Sequence, residues 1–141
     1  MKRVITYGTF DLFHVGHLNL LERLRGLGDH LTVAVSTDGF NALKHKVCSM
    51  PYEDRARIVG ALRCVDAVIP EESWEQKAED VRRLAIDIFG IGDDWRGRFD
   101  HLEAFCQVVY LPRTEGISTT DLKQSIGEVA ANGGFKIAGK G

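Results

Sequence analysis

The chain has 141 residues, of which 44% are hydrophobic and 27% charged, and its net charge is −2. That is enough for one domain with its own core. The balance excludes a disordered chain and a strongly basic nucleic-acid binder, and no apolar run reaches membrane-spanning length. Three scattered cysteines, Cys48, Cys64 and Cys106, form no CxxC pair. They fit a reducing cytoplasm better than a disulfide or zinc framework. The opening MKRVITYG lacks the layout of a secretory signal.

In chain order, RVITYG reads as a strand. Val15, Leu18, Leu21 and Leu24 then recur at helical spacing, and Gly26 and Gly28 close that helix. HLTVAVST is the second strand, followed by a polar stretch with Lys44 and Lys46. Pro51 suits a first helical residue with Ser49 as a cap, which predicts a helix to about Arg63. VDAVIP is the third strand, SWEQKAEDVRRL a helix, IDIFGIG the fourth strand, and CQVVYL the fifth after a short helical turn. STTDLKQSIGEVA is the last helix, capped by Ser118. The strands are apolar on both faces, as in a parallel sheet covered by helices, so the expected class is an α/β sandwich. The domain is expected to span 1–130. The tail 131–141 has four glycines and no periodicity, and a loose segment is expected there.

In an open parallel sheet, ligands bind outside the carboxyl ends of the strands. Those ends hold the polar and glycine-rich segments: Gly8 to His17, Thr37 to Lys46, Gly92 to Trp95, and Pro112 to Thr120. Gly8 and Thr9 suit a tight turn that lets backbone approach a ligand. Two helix starts, near His14 and at Ser118, would point free N–H groups and positive dipole ends at one cleft. Such a cleft suits a polyphosphate. His14 and His17 fall on one helical face, where both can lean over the phosphates as donors, partly cationic near neutral pH. The same pair is also compatible with zinc ligation or plain helix capping, although no third ligand lies at metal spacing.

GTFDLFHVGH together with RTEGISTT, about a hundred residues apart and each after a predicted strand, resembles the HxGH nucleotidyltransferase superfamily in its cytidylyltransferase-like group. YEDR, WEQK, GDDW and YLPRTEGISTT fall in the order and spacing of the members of that group that use glycerol 3-phosphate. The resemblance covers about Lys2 to Ile126. VCSMP, between Lys46 and Tyr52, departs from the pattern, as does the glycine-rich tail.

The resemblance implies a Rossmann-like three-layer sandwich with a five-stranded parallel sheet in the order 3-2-1-4-5. It implies transfer of CMP from CTP to sn-glycerol 3-phosphate, aided by Mg²⁺, in a cytoplasmic homodimer serving glycerol-phosphate polymers of the cell envelope. No nucleic acid or membrane partner is implied. His14, His17, Lys44 and Arg113 are the implied catalytic set. Thr9, Phe10, Gly16 and Arg63 would join them around CTP. Arg113, Thr114, Glu115, Gly116, Ile117, Ser118, Thr119 and Thr120 would wrap the β- and γ-phosphates, with Asp94 and Trp95 near the base. Lys44 and Lys77 would hold the acceptor phosphate, Lys46 and Arg55 being further candidates. Asp11 would organise the loop or help hold metal. Two alternatives remain at this point: the same fold acting on another alcohol phosphate or with ATP, and a non-catalytic nucleotide-binding module.

Overall fold

A computed structural model describes residues 1–112 and 119–131. The first strand, β1 (Arg3–Gly8), is followed by α1 (Val15–Arg25), β2 (His30–Ser36), α2 (Asp38–Leu43), α3 (Tyr52–Gly60), β3 (Ala67–Glu71), α4 (Gln76–Arg83), β4 (Ile88–Gly92), two short 3₁₀ turns (Asp93–Trp95 and Asp100–Ala104), β5 (Gln107–Leu111) and α5 (Thr119–Ala131). All the pairings are parallel, and the sheet order is β3-β2-β1-β4-β5. Both the class and the order match the expectation.

Alternation along the strands builds two cores. Val4, Leu31, Val33, Val35 and Ile88 pack with Leu21 and Leu24 of α1 and Val59 of α3 on one face. Ile5, Tyr7, Ala34, Phe89 and Ile91 pack with Val81 of α4 and with Phe99 and Leu102 near the 3₁₀ turns on the other. Gly90 lets α1 lie close on β4, because a Cβ there would run into the Leu24 side chain. Pro70 is tolerated because β3 is an edge strand.

The seams of the sheet are unequal. β1 pairs with β2 at six positions, from Arg3–His30 to Gly8–Val35. It pairs with β4 only at Val4–Ile88 and Ile5–Phe89. Beyond Ile5 the β1–β4 pairing stops, at the point where the strand order reverses, and the crevice opens there.

Three local expectations need correction. The polar stretch after β2 contains α2, started by Thr37, whose Oγ1 accepts from the Phe40 N–H at 3.1 Å. Its six residues are too short for a readable period. α3 ends at Gly60 rather than near Arg63. Ser49 is not its cap: Pro51 holds that position, and the Ser49 N–H goes instead to Asp11. The predicted Ser118 cap and the 132–141 segment lie outside the described residues.

Candidate active site

The loop after β1 is strained and buried. Phe10 and Leu12 adopt left-handed backbone at φ 54° and 49°, an arrangement that costs non-glycine residues of order 1 kcal/mol each. Phe10 is only 6% exposed, and its ring meets His17 edge-on with centroids 5.5 Å apart.

That loop delivers the two histidines. His14 caps α1 by accepting the Gly16 N–H on Nδ1 at 3.0 Å. His17 reaches back and accepts the His14 N–H on its own Nδ1 at 3.2 Å. The rings stack with centroids 3.9 Å apart and planes 22° apart. Because each Nδ1 accepts, each neutral ring carries its proton on Nε2. His14 Nε2 is buried and has no partner among the described residues. Burial, and then the neighbouring His14, push the His17 pKa from 6.5 down to about 4, although Asp11 opposes this. Burial also lowers the pKa of His14. The expectation of partial positive charge is therefore corrected: at neutral pH the pair is uncharged and offers N–H donors. Capping and facing the cleft are compatible, since they use different nitrogens.

Asp11 ties three segments together. Its carboxylate accepts the Ser49 and Met50 N–H groups at 2.8 and 3.1 Å and pairs with Lys123 of α5 at 2.9 Å. Its carbonyl accepts the Thr119 hydroxyl at 2.8 Å. Burial alone would raise its pKa, but Lys123 and the two backbone N–H groups hold it below the usual value. These contacts make Asp11 an organiser of the loop. Lys123, four residues after Thr119 and on the same helical face, lines the cleft and was missed by the sequence reading.

The opposite wall is built from the ends of β2 and β3. Lys44, the C-cap of α2, lies with Nζ 3.5 Å from the Ser36 hydroxyl and over the rings of Phe40 (4.3 Å) and Trp74 (5.5 Å). Burial lowers its pKa, with Glu71 opposing. Ser36 Oγ donates to Glu71 Oε1 at 2.6 Å, and Lys77 Nζ donates to Glu71 Oε2 at 2.5 Å. Lys77 is surrounded by the rings of Tyr7, Trp74 and Phe99 at 4.7, 4.9 and 5.3 Å. Ser36 and Glu71 were also missed. Each is a polar residue ending an apolar strand, and that position was the available signal.

These groups enclose one cleft of about 480 Å³, lined by Thr9, Phe10, Asp11, His14, Gly16, His17, Lys44, Lys46, Lys77, Asp94, Trp95, Thr119 and Thr120, as well as Glu71, Trp74 and Lys123. Two predicted residues do not line it. Arg55 is 1% exposed, and its guanidinium donates to Thr9 O, Ser36 O, Met50 O and Asp38 Oδ1 at 2.7–3.0 Å. It is spent on holding loops and not on a ligand. Arg63 is exposed in the turn before β3, so within one chain it sits at the amino edge of the sheet, opposite the cleft. Arg113, Thr114, Glu115, Gly116, Ile117 and Ser118 lie outside the described residues. Among the described residues, no group of three His, Cys, Asp or Glu side chains is placed to hold a metal ion, and no helix is long and apolar enough to cross a membrane.

A family model described as cytidylyltransferase-like matches residues 5–125. Over 126 residues, covering 89% of this chain and 98% of the relative, the sequence is 59% identical to a glycerol-3-phosphate cytidylyltransferase of Bacillus subtilis (strain 168). It is 55% identical to one of Staphylococcus aureus (strain NCTC 8325 / PS 47), covering 89% of this chain and 96% of that one. Among solved structures, a lipopolysaccharide core biosynthesis protein from Thermoplasma volcanium GSS1 is similar with a TM-score of 0.70 at 24% identity, over 82% of this chain and 99% of that one. That likeness concerns the fold.

Proposed function

The chain belongs to the cytidylyltransferase-like family, and from that premise we propose how its cleft works. The protein is an enzyme that transfers CMP from CTP to sn-glycerol 3-phosphate, giving CDP-glycerol and pyrophosphate. The observation that carries the mechanism is the stacked, neutral histidine pair, whose Nδ1 atoms are occupied by backbone N–H groups.

An oxygen of the glycerol phosphate attacks the α-phosphorus of CTP. The new P–O bond forms as the bond from the α-phosphorus to the bridging oxygen breaks, and that oxygen leaves with pyrophosphate. The nucleophile is already an anion, so no base is needed to remove a proton. Catalysis reduces to positioning two polyanions and neutralising charge that builds on the phosphoryl oxygens. The Nε2–H groups of His14 and His17 supply uncharged donors there. Thr9, Phe10 and Gly16 bring the loop against the triphosphate. Thr119 and Thr120, at the start of α5, serve its β,γ end with Arg113 and the 114–118 segment. Lys44 and Lys77 hold the acceptor phosphate, with Lys46 beside them, and Asp94 and Trp95 lie on the base side.

Mg²⁺, when bound with CTP, would supply neutralisation of phosphate charge, and among the described residues no group of three His, Cys, Asp or Glu side chains would hold it. Asp11 serves in this reading as organiser of the loop, its carboxylate accepting from Ser49 N, Met50 N and Lys123. The rest of the proposal follows the sequence resemblance: residues 1–130 form the catalytic domain. The enzyme is a cytoplasmic homodimer whose product feeds glycerol-phosphate polymers of the envelope, with no nucleic-acid or membrane partner.

The test is pyrophosphate release with glycerol 3-phosphate and each nucleoside triphosphate in turn. CTP is expected to exceed UTP strongly in kcat/KM, because a site whose acceptors meet the exocyclic amine of cytosine would leave them unpaired with uracil. Comparable values for the two, or a preference for ATP, would overturn the assignment. No release with any triphosphate would make the cleft a binding site only.

A further inference from the structure

Glu71 has no role in the reaction as described, and its placement beside a phosphate cleft needs a reason. It is 3% exposed and ends β3 on the carboxyl edge of the sheet. A carboxylate there repels an incoming phosphate, and burying an ion pair adds little to stability over an apolar pair of the same volume. Stability alone therefore does not account for it.

The hydrogen bonds supply another reason. The Ser36 hydroxyl donates to one oxygen of Glu71, which leaves its own lone pairs for the ammonium of Lys44. The other oxygen takes the ammonium of Lys77. A directed chain thus runs from Lys44 through Ser36 to Glu71 and back out to Lys77. Its members come from four elements: the end of α2, the end of β2, the end of β3 and the first turn of α4. Rings close the remaining sides. Trp74 lies under both ammonium groups, Phe40 under Lys44, and Tyr7 and Phe99 beside Lys77. Both long side chains, otherwise rich in rotamers, are left facing the cleft that they line.

We propose that Glu71, through Ser36 on one side and directly on the other, is a positioning residue that aims Lys44 and Lys77 together at the acceptor phosphate. The proposal rests on reading the cleft as a site for CTP and glycerol 3-phosphate. With both lysines pre-aimed, the acceptor phosphate meets a formed two-pronged site rather than two mobile chains.

Ser36→Ala cuts the Lys44 branch with a one-atom deletion and leaves the Glu71–Lys77 pair in place. In steady-state assays it should raise the KM for glycerol 3-phosphate roughly tenfold, the size of a lost charge-assisted hydrogen bond. The kcat and the KM for CTP should stay within about twofold of wild type. In a Lys44→Ala background the same change should add nothing, and in a Lys77→Ala background it should keep its full effect. Glu71→Gln, which weakens both branches, should raise the acceptor KM further than Ser36→Ala. If that variant does not fold, the Ser36 cycle decides alone. An equal rise in both KM values, or a full Ser36→Ala effect that persists without Lys44, would overturn the proposal in favour of general packing. So would a lower acceptor KM in Glu71→Gln, which would make the carboxylate a mere repelling charge. A wild-type protein that releases no pyrophosphate would instead refute the reading of the cleft, which separates the two failures.

Discussion

A histidine whose Nδ1 accepts a backbone N–H has one nitrogen left to carry its proton. In His14 and His17 this fixes both rings as Nε2–H donors without a separate orienting carboxylate. Neutral donors suit the chemistry, because their Nε2–H groups stabilise growing phosphoryl charge by hydrogen bonding and keep their proton at neutral pH. His17→Ala should therefore lower kcat by roughly 10²–10³, the usual loss for one positioned donor, with little change in the KM for CTP. Stopped-assay kinetics would check it, and a near-normal kcat would remove His17 from the chemistry. The HxGH spacing made these residues readable, since one helical turn sets their relation. It did not reveal their charge state, which depends on burial and on each ring facing the other. Ser36 and Glu71 carry only the signal of a polar residue ending an apolar strand, and their partners, like those of Lys123, are not legible in it. All three meet the site only through strand ends and a helix that folding brings together from distant parts of the chain.

At the level of elements, Arg55 joins pieces that the sheet alone leaves loose. From α3 it holds the carbonyl of Thr9 after β1, that of Ser36 ending β2 and that of Met50 in the loop before α3. Arg55→Met keeps much of the volume but leaves three carbonyl oxygens without that donor, at a cost of about 3 kcal/mol or more. Thermal melting should show a drop of several degrees, with a rise in KM for both substrates because both walls shift. A change confined to glycerol 3-phosphate would return Arg55 to the ligand-binding role that the sequence suggested. The strands and the longer helices were readable because apolar runs and i, i+3, i+4 spacing are local properties. α2 was not, since six residues make less than two turns and its start depends on the Thr37 cap. Arg55 and Arg63 read alike in sequence, as cations on or after one helix. Only the direction of β3 separates a buried tie from a residue at the far edge.

Across the whole molecule, several shifted groups respond to acid in the same direction. His17, with a folded-state pKa of about 4 against 6.5 unfolded, binds fewer protons in the native state. Its contribution is complete above about pH 6.5 and is lost as pH falls through about 4. His14 has the same sign, and Asp11 and Asp38, whose pKa values are also lowered, extend the loss below the usual carboxylate range. Chemical denaturation between pH 8 and pH 4 should therefore show stability falling as the solution is acidified from about pH 6.5. A flat or rising profile would mean that the histidines are not buried neutral. The narrow β1–β4 seam bears on how the two walls of the cleft are held. One half-sheet, β3-β2-β1, carries the histidines and Lys44 and Lys77, and the other, β4-β5, leads to Asp94 and Trp95 and precedes α5. Only two register pairs join them. Both cores nonetheless cross the seam, since Ile88 packs with Val4 and Leu31 on one face and Phe89 and Ile91 with Ile5 and Tyr7 on the other, and the Asp87 N–H donates to Arg3 O at 2.9 Å. The two walls of the cleft thus share their interiors, while the missing β1–β4 pairings beyond Ile5 leave the space between them in which a ligand can lie.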